Sequence, residues 1–232
     1  MIEIKDGSIK YGDRVLFMGL SFMVNNGEAR AFCVPHGLGK TSLMRAFVGL
    51  QPLAEGFVSI DGEPLLPSDV RLFRRFMSYI PQNMEFPLCR QVSDFVKTLF
   101  LLRVNEGVEY SKRLLMDEWD VLLLDRELYD KAVSDLSVGQ LRRVMMSVAG
   151  LLHKPIVVID EPFMCQDEAS SPAIAEWLCR VASDGSSVLV ASSDAAEWDM
   201  DKIDIDGQVF GFNEKNSSLC SLKEQSVDIK EQ

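Results

Sequence analysis

The feature that most constrains this chain is a glycine-rich segment that follows an apolar run and opens a helix-like run. Residues 34–42 read VPHGLGKTS. The phosphate-binding loop has the pattern G-x-x-x-x-G-K-[ST] and lies between a strand and a helix. Gly39, Lys40 and Thr41 match the end of that pattern, and Val34 stands where its first glycine is expected. The segment therefore predicts a phosphate-binding loop with one departure from the usual sequence.

The residue types of this segment suit the binding of phosphate. Glycines let successive backbone N–H groups point inward and form a concave anion site, and a helix that begins near Thr41 directs its positive end at the same phosphates. Lys40 can reach the β- and γ-phosphates of a nucleotide, and the Thr41 hydroxyl can bind magnesium. The alternative is an ordinary glycine-rich turn with a solvated lysine. The predicted nucleotide contacts in the loop are His36, Gly37, Leu38, Gly39, Lys40, Thr41 and Ser42, with the His36 side chain itself in solvent.

The composition is that of a soluble globular protein, and it excludes some partners. The apolar set makes up 47% of the 232 residues, and no apolar run is long enough to span a bilayer. The net charge of -11 argues against nucleic acid as a partner and against direct binding to an anionic membrane. The N-terminal MIEIKDGS lacks a signal-peptide pattern, so we expect a cytoplasmic protein that reaches a membrane only through a partner. Free thiols are predicted because no CxxC pair occurs among Cys33, Cys89, Cys165, Cys179 and Cys220.

The beginning of the chain is predicted to be rich in β-structure. Isoleucines near the N-terminus predict short strands with a turn at Asp6-Gly7. The mostly apolar run 29–33 predicts a strand that leads into the phosphate-binding loop. Gly56 predicts a turn before a further strand at 57–60.

The composition changes in the middle of the chain, where residues 91–153 predict helices. Phe95, Leu99 and Leu102 recur at helical spacing, and Leu114 and Leu115 add apolar weight further on. We interpret these side chains as core residues rather than as contacts to a cofactor. The change suggests a helical subdomain inserted between two parts of a β-rich core.

The last third of the chain predicts further strands around one helix. The apolar runs 155–160 and 187–191 are typical of buried parallel strands. Ser171-Pro172 predicts a helix start, with the serine as N-cap and the proline in the first turn. Residues 209–212 predict a last strand, and the polar tail from Asn213 onward is expected to fray.

Two acids stand directly at the end of the predicted strand 155–160. An acid such as Asp160 at the end of a buried strand beside a phosphate-binding loop can hold magnesium, usually through water. The adjacent Glu161 can orient or deprotonate an attacking water if burial raises its pKa. The alternative is that both carboxylates merely end the strand, and the nearby loop makes that alternative weaker.

The segment 136–140 reads LSVGQ and opens another helix-like run. It differs only at Val138 from LSGGQ, the signature of the ATPase subunits of ATP-binding cassette (ABC) transporters, and the chain resembles that family. Further family motifs follow in the correct order. They are Tyr11 at the aromatic that stacks on adenine, Gln82 in YIPQN at the glutamine loop, Asp160 and Glu161 in IDEP at the magnesium aspartate and catalytic glutamate, and Asp167 in the next loop. The resemblance covers residues 2–212.

The resemblance implies an α/β fold, with a P-loop NTPase core, a β-rich N-terminal subdomain and an inserted helical subdomain. Residues 1–232 would then form a single ABC ATPase domain. Its catalytic core and β-subdomain would comprise residues 1–82 and 155–232, and residues 83–154 would form the helical subdomain with the signature. The family docks a helix of its membrane subunit near this subdomain. Three apolar residues there are expected to be either exposed for docking or buried in the core: Met84, Phe86 and Leu88.

The resemblance also implies that two ATPase subunits, identical or different, face each other head to tail. ATP and Mg²⁺ would lie between the phosphate loop of one subunit and the signature of the other, and hydrolysis would drive a separate membrane-spanning subunit. The signature residues expected to contact ATP are Ser137, Gly139 and Gln140. The expected magnesium ligands are Thr41, Gln82 and Asp160. The expected catalytic residues are Glu161, Gln82 and Ser193, with Glu161 as general base or water-positioning residue.

Two departures from the family pattern bear on the speed of hydrolysis. The family usually has a histidine where this chain has Ser193, and serine is shorter and carries no positive charge. The β-branched Val34 fits the loop only in an extended conformation. We therefore expect either an ATPase of reduced activity or, as an alternative, a regulatory nucleotide-binding subunit of a heterodimer.

The subfamily is open at this point. The chain resembles the ATPase of the haem exporter of cytochrome c maturation in three runs, LSFMVNNGEARAF, GLGKTSLMRAFVGLQPLAEG and LSVGQLRRV. The run PQNMEFPLCRQV resembles zinc or manganese importer ATPases. A soluble cassette protein of iron-sulfur assembly is a further alternative.

Overall fold

The computed structural model describes residues 1–12, 14–33, 37, 39–84, 91–193, 211–213 and 218–220. The strands are β1 (Ile2–Tyr11), β2 (Arg14–Val24), β3 (Ala29–Cys33), β4 (Glu55–Ile60), β5 (Glu63–Pro64), β6 (Met77–Ile80), β7 (Ile156–Asp160), β8 (Ser187–Ser192), β9 (Gly211–Asn213) and β10 (Ser218–Cys220). The α-helices are α1 (Lys40–Phe47), α2 (Val70–Phe73), α3 (Val92–Phe100), α4 (Lys112–Val121), α5 (Val138–Leu151) and α6 (Ser170–Ser183). Within these residues, no helix has the length and apolar character needed to cross a membrane.

A four-stranded parallel sheet in the order β3-β8-β7-β6 carries the candidate site. Every residue of β7 and β8 is buried, which is typical of strands covered on both faces. Alternate residues of β7 point to opposite faces: Ile156 and Val158 pack in the cluster that contains α1, whereas Val157 and Ile159 pack in the cluster that contains α6. The three predicted strands at 29–33, 155–160 and 187–191 are therefore confirmed, and the fold is α/β.

A second sheet of six strands has the order β5-β4-β1-β2-β10-β9. Ile2, Ile4 and Val24 from its inner face join Phe47 of α1 in one apolar cluster, so this sheet covers the outer side of α1. The pairing is antiparallel except between β10 and β2. β9 lies close to the predicted last strand, but β10 lies in the tail that was expected to fray, and that expectation is wrong for 218–220.

Two turns predicted from glycines are irregularities inside strands. β1 continues through Asp6-Gly7, and its register with β2 shifts between Ile4 and Gly7, as in a β-bulge. Gly56 lies inside β4 with φ of 74°, where a Cβ atom would lie 2.3 Å from the Lys5 carbonyl oxygen. Glycine is required there by the close approach of β1, and neither site reverses the chain.

The helical interpretation of residues 91–153 is confirmed, but two of its predicted core residues are exposed. Phe95 is buried and Leu99 packs at the edge of the same cluster. Leu102 is 45% exposed because α3 ends at Phe100, and Leu114 is 42% exposed on α4. Helical spacing therefore continued in the sequence beyond the end of the helix.

A buried carboxylate joins helix α4, in the helical segment 91–153, to helix α6, which packs on the parallel sheet. Glu118 of α4 accepts hydrogen bonds from Arg180 at 2.8 and 2.7 Å and from Trp177 Nε1 at 2.9 Å, both on α6. The carboxylate is buried and bound by two donors, which is the condition under which a buried charge is tolerated. The contact fixes α4 against α6.

The start of α6 differs slightly from its prediction. The helix begins at Ser170, so the predicted N-cap Ser171 already lies in the first turn. Asp167 Oδ1 accepts a hydrogen bond from the Ser170 N–H at 2.8 Å and satisfies one free donor of the helix start. Pro172 lies in the first turn as predicted, because no helical hydrogen bond is lost there.

Candidate nucleotide-binding site

The candidate site lies at one edge of the parallel sheet, where β3, β6 and β7 end and α1 begins. Ligands of open α/β sheets bind outside these carboxyl ends. Gly39 precedes α1 with φ of 92°, a conformation that favours glycine. A Cβ atom at Gly39 would lie 2.9 Å from the Phe17 ring and 3.1 Å from Leu16 Cδ1. The packing of β2 against the loop therefore requires the glycine of the sequence pattern.

Thr41, Asp160 and Gln82 meet at this edge from three different elements. Thr41 Oγ1, in the first turn of α1, donates a hydrogen bond to Asp160 Oδ2 at 2.6 Å, and it lies 3.3 Å from Gln82 Oε1. Asp160 ends β7, and Gln82 follows β6. The structure therefore brings together the three side chains that the sequence predicts as magnesium ligands.

This cluster has the chemistry of a site for a hard divalent cation. All three side chains present oxygen atoms, which Mg²⁺ prefers. Asp160 Oδ1 is buried and accepts no hydrogen bond within the described residues, so one carboxylate oxygen is left for a further ligand. Burial raises the pKa of Asp160, and the hydrogen bond from Thr41 opposes that shift. A bound cation would favour the ionised carboxylate, so these residues fit Mg²⁺.

Lys40 and Glu161 form a buried ion pair beside that cluster. Lys40 Nζ lies 3.1 Å from Glu161 Oε1, and both side chains are almost fully buried. Glu161 adopts φ of 54°, and its N–H donates to the Ala191 carbonyl at 2.8 Å. The Ser193 N–H lies 3.2 Å from Glu161 Oε2 and donates a hydrogen bond to it. Ser193 therefore contacts the predicted catalytic carboxylate through its backbone.

The signature residues form a second group at the start of α5. Ser137 Oγ accepts a hydrogen bond from the Gln140 N–H at 3.1 Å, and Gln140 Oε1 accepts one from the Ser137 N–H at 2.9 Å. Between the two capping residues, the N–H groups of Val138 and Gly139 belong to the first turn and have no carbonyl partner one turn earlier in the helix. Gly139 is buried, and a Cβ atom there would lie 2.3 Å from the Cys165 carbonyl oxygen.

Several predicted residues are described only in part or not at all. The backbone of Tyr11 ends β1, but its side chain lies outside the described residues. Gly37 is exposed with φ of 79°, and Ser42 is half-buried in α1. Met84 is half-buried against the core clusters. The predictions for Val34, His36, Leu38, Phe86 and Leu88 concern residues outside the described part of the chain.

The sequence interpretation missed one residue that connects the two groups. Arg142 of α5 is completely buried, and its guanidinium donates to the backbone carbonyls of Gln82 and Met164. The available signal was the pair Arg142-Arg143 in the mostly apolar run 141–151. The acceptor Gln82 lies far away in sequence, so the contact itself could not be found from spacing.

Comparison with known proteins agrees with this geometry. Residues 17–164 match the sequence profile described as ABC transporter. The manganese transport system ATP-binding protein MntB of Listeria innocua is 26% identical over 198 residues, which cover 83% of this chain and 80% of that protein. The zinc transport system ATP-binding protein TroB of Treponema pallidum is 27% identical over 83% of this chain and 72% of its own length. A bacterial ABC transporter cassette solved as a dimer superposes with a TM-score of 0.73 at 20% identity, covering 85% of this chain and 90% of that one. The chain therefore belongs to the ABC transporter family, among its ATP-binding subunits.

Proposed function

We propose that this chain hydrolyses ATP at the edge of its parallel sheet and drives transport through a separate membrane-spanning subunit. The observation that carries the proposal is the convergence of Lys40, Thr41, Gln82, Asp160 and Glu161 at that edge. These five side chains supply a phosphate-binding cation, three oxygen ligands for a metal and a second carboxylate. Such a set serves phosphoryl transfer, in which positioning and charge stabilisation dominate catalysis.

The ion pair between Lys40 and Glu161 gives the site an order of events. When ATP binds, the Lys40 ammonium group leaves its ion pair with Glu161 and pairs with the phosphates instead, because one ammonium group cannot neutralise both. Glu161 keeps the hydrogen bond from the Ser193 N–H and then accepts a proton from the attacking water. Thr41, Gln82 and Asp160 would hold Mg²⁺, which supplies positive charge at the β- and γ-phosphate oxygens when bound.

The start of α5 supports a role for a second copy or a related ATPase subunit. Ser137 and Val138 are exposed at this helix start, where free N–H groups favour an anion. We propose that Ser137, Gly139 and Gln140 contact ATP held by the partner subunit. A solved relative is a dimeric cassette, which supports this arrangement.

An apolar groove supports a membrane partner. It has a volume of about 320 Å³ and lies between β6, the end of α1, the end of α3 and α5. Among the residues that line it are Leu50, Met77, Leu99, Leu102, Val104 and Met145. Leu50 and Leu102 remain largely exposed. Exposure of their apolar surface to water is unfavourable in free energy, and a docked helix would remove it. We propose that the membrane subunit inserts a helix here and holds the chain at the inner face of the membrane.

The names of the relatives favour a metal cargo. MntB belongs to a manganese transport system and TroB to a zinc transport system. We therefore propose a first-row transition metal as the transported substrate. The resemblance of three sequence runs to a haem exporter has no counterpart in the names of these relatives.

The experiment that tests hydrolysis compares phosphate release by the wild-type chain, Glu161→Gln and Glu127→Gln. We expect Glu161→Gln to bind ATP and to lose at least about a hundredfold in turnover, as for removal of a general base. Glu127 is an exposed glutamate outside the site, and its substitution should change nothing. If all three proteins bound ATP and had equal turnover, the catalytic role of Glu161 would be excluded. The chain would then act as a nucleotide-binding regulatory subunit, the alternative that Ser193 also supports.

A further inference from the structure

We propose that Arg142 is a positioning residue of the ATPase reaction, which holds the Gln82 turn and the turn after Glu161 at a fixed distance. The proposal rests on the proposed function, because it concerns the metal ligands of that site. It adds a residue of α5 to machinery otherwise built from the loop, β6 and β7. In this proposal Arg142 acts through its hydrogen bonds to two backbone carbonyls, and no contact of its own with ATP or Mg²⁺ is invoked.

The guanidinium of Arg142 bridges two turns. Its Nη2 donates to the Gln82 carbonyl at 2.8 Å, and its Nη1 donates to the Met164 carbonyl at 2.5 Å. The two turns are also joined directly, since Gln82 Nε2 lies 3.6 Å from Met164 Sδ. The Met164 N–H in turn donates to the Glu161 carbonyl at 3.3 Å. Arg142 therefore closes a ring of contacts that includes Gln82, one of the candidate metal ligands, and the turn after Glu161.

Burying the charged guanidinium of Arg142 costs free energy of desolvation, which a residue that only fills space would not require. Arg142 is completely buried, and burial lowers the pKa of its guanidinium. Its Nε donates to no acceptor within the described residues, and both bonded partners are neutral carbonyls. An apolar side chain of similar length would fill the same space without the cost of desolvating a charge. What the guanidinium adds is two directed hydrogen bonds from one rigid, planar group.

The consequence concerns Gln82 more than any other ligand. Thr41 and Asp160 are fixed by α1 and β7, whereas Gln82 follows the end of β6 and lies outside regular structure. Its carbonyl is held by Arg142 at one side, and its Oε1 lies 3.3 Å from Thr41 Oγ1 at the other. Without Arg142, the Gln82 side chain should leave its place beside Thr41 and Asp160. The phosphate loop around Lys40 should keep its shape.

The test measures the affinity for ATP with and without Mg²⁺, by equilibrium binding, for the wild-type chain and for Arg142→Gln. We expect the affinity without Mg²⁺ to remain unchanged. The gain in affinity on adding Mg²⁺ should fall about tenfold or more, the usual effect of removing a partner that orients a metal ligand. Turnover should fall by a similar factor, and Arg142→Lys, which keeps a donating cation but lacks the rigid planar fork of the guanidinium, should lie between the two.

Arg180→Gln is the matched control. Arg180 also joins two elements through its guanidinium, but it bonds to Glu118 between α4 and α6 and touches no predicted ligand. It should lower the melting temperature and leave the effect of Mg²⁺ on affinity intact. A general loosening of the helices would instead change both arginine variants alike.

Each remaining outcome decides the question. Two results would overturn the role of Arg142 while leaving the proposed function intact. One is an Arg142→Gln variant whose ATP affinity rises on adding Mg²⁺ as much as that of the wild type, and the other is an equal loss of ATP affinity with and without Mg²⁺. If Arg142→Gln fails to fold, Arg142→Lys gives the result, and failure of both to fold would make Arg142 a residue needed for folding only. A wild-type chain that binds no ATP would overturn the proposed function itself.

Discussion

Asp160 must be ionised to hold a cation, yet it is completely buried in the structure. Burial raises its pKa, with the Thr41 hydrogen bond, Lys40 and Arg142 acting against that rise. An acid whose folded-state pKa is raised costs stability once it ionises, so this cost appears as pH rises above the ordinary value of 3.8. Asp160→Asn should therefore be more stable than the wild type at neutral pH, by on the order of 1 kcal/mol, a common size for the effect of one substitution. Urea unfolding of the protein without nucleotide or metal, between about pH 4 and pH 8, measures this difference.

Asp167 is a control of opposite sign. Its pKa is lowered, first by hydrogen bonds from Ser170 and then by the charge of Arg143. A lowered pKa contributes stability above the ordinary value and loses it as pH falls through the folded-state value. Asp167→Asn should thus be less stable than the wild type at neutral pH, with the difference vanishing in acid. An Asp160→Asn protein that is less stable at every pH would contradict the argument from burial.

The site residues differ in how far the sequence could predict them. Thr41, Asp160 and Glu161 follow strands or open a helix, so local patterns place them at one edge of a parallel sheet. The pairing of Lys40 with Glu161 could not be predicted, because it depends on which side chains meet when α1 packs on β7 and β8. Arg142 was missed for the same reason, since its partners come from two other turns.

At the level of elements, the start of α5 is pressed against the turn that follows β7. A Cβ atom at Gly139 would lie 2.3 Å from the Cys165 carbonyl oxygen, which is backbone and cannot rotate away. Gly139→Ala should gain about 1 kcal/mol of helix propensity. It should lose about 3 kcal/mol by overpacking, so a net loss of about 2 kcal/mol is expected in urea unfolding.

Val138→Ala is the matched control for this helix start. Val138 is 38% exposed and directly precedes Gly139, so its truncation should change the free energy of unfolding by no more than about 0.5 kcal/mol. If Gly139→Ala were as stable as Val138→Ala, the turn at Cys165 would have to yield easily. The close packing would then not explain why glycine stands at this position.

Elements made of continuous apolar runs were predictable, and those that depend on long-range contacts were not. β7 and β8 are buried on both faces, so their apolar sequences alone mark them as strands. Gly7 and Gly56 carry the same signal for a turn and for a bulge, and only the pairing of β1 with β2 and β4 decides between them. The spacing that continues from Leu99 to Leu102 likewise gives no sign that α3 ends between them.

In the whole molecule, the helical part meets the parallel sheet in two ways with different chemistry. Glu118, Arg180 and Trp177 form a polar contact that holds α4 against α6. The groove between β6, α1, α3 and α5 is lined mainly by apolar side chains and is open to solvent. The first contact is satisfied within the chain, whereas the second leaves Leu50 and Leu102 exposed to water, and for this reason we propose the groove as the docking site of a membrane partner.

Leu102→Asp tests that docking without disturbing the fold. Leu102 is 45% exposed and precedes a short 3₁₀ turn, Arg103–Asn105, as its N-cap, a position at which aspartate is favourable. Burial of a leucine side chain contributes about 1.5–3 kcal/mol, and a carboxylate in its place would have to be desolvated, so binding should weaken at least tenfold.

The measurement is the fraction of the chain that sediments with membranes of the cells that produce it. Leu114→Asp, on an equally exposed leucine of α4 outside the groove, should sediment like the wild type, and both variants should keep the turnover of the purified protein. Equal sedimentation of the two variants would place the membrane contact elsewhere on the molecule, because the net charge of -11 gives the chain no attraction to an anionic bilayer of its own.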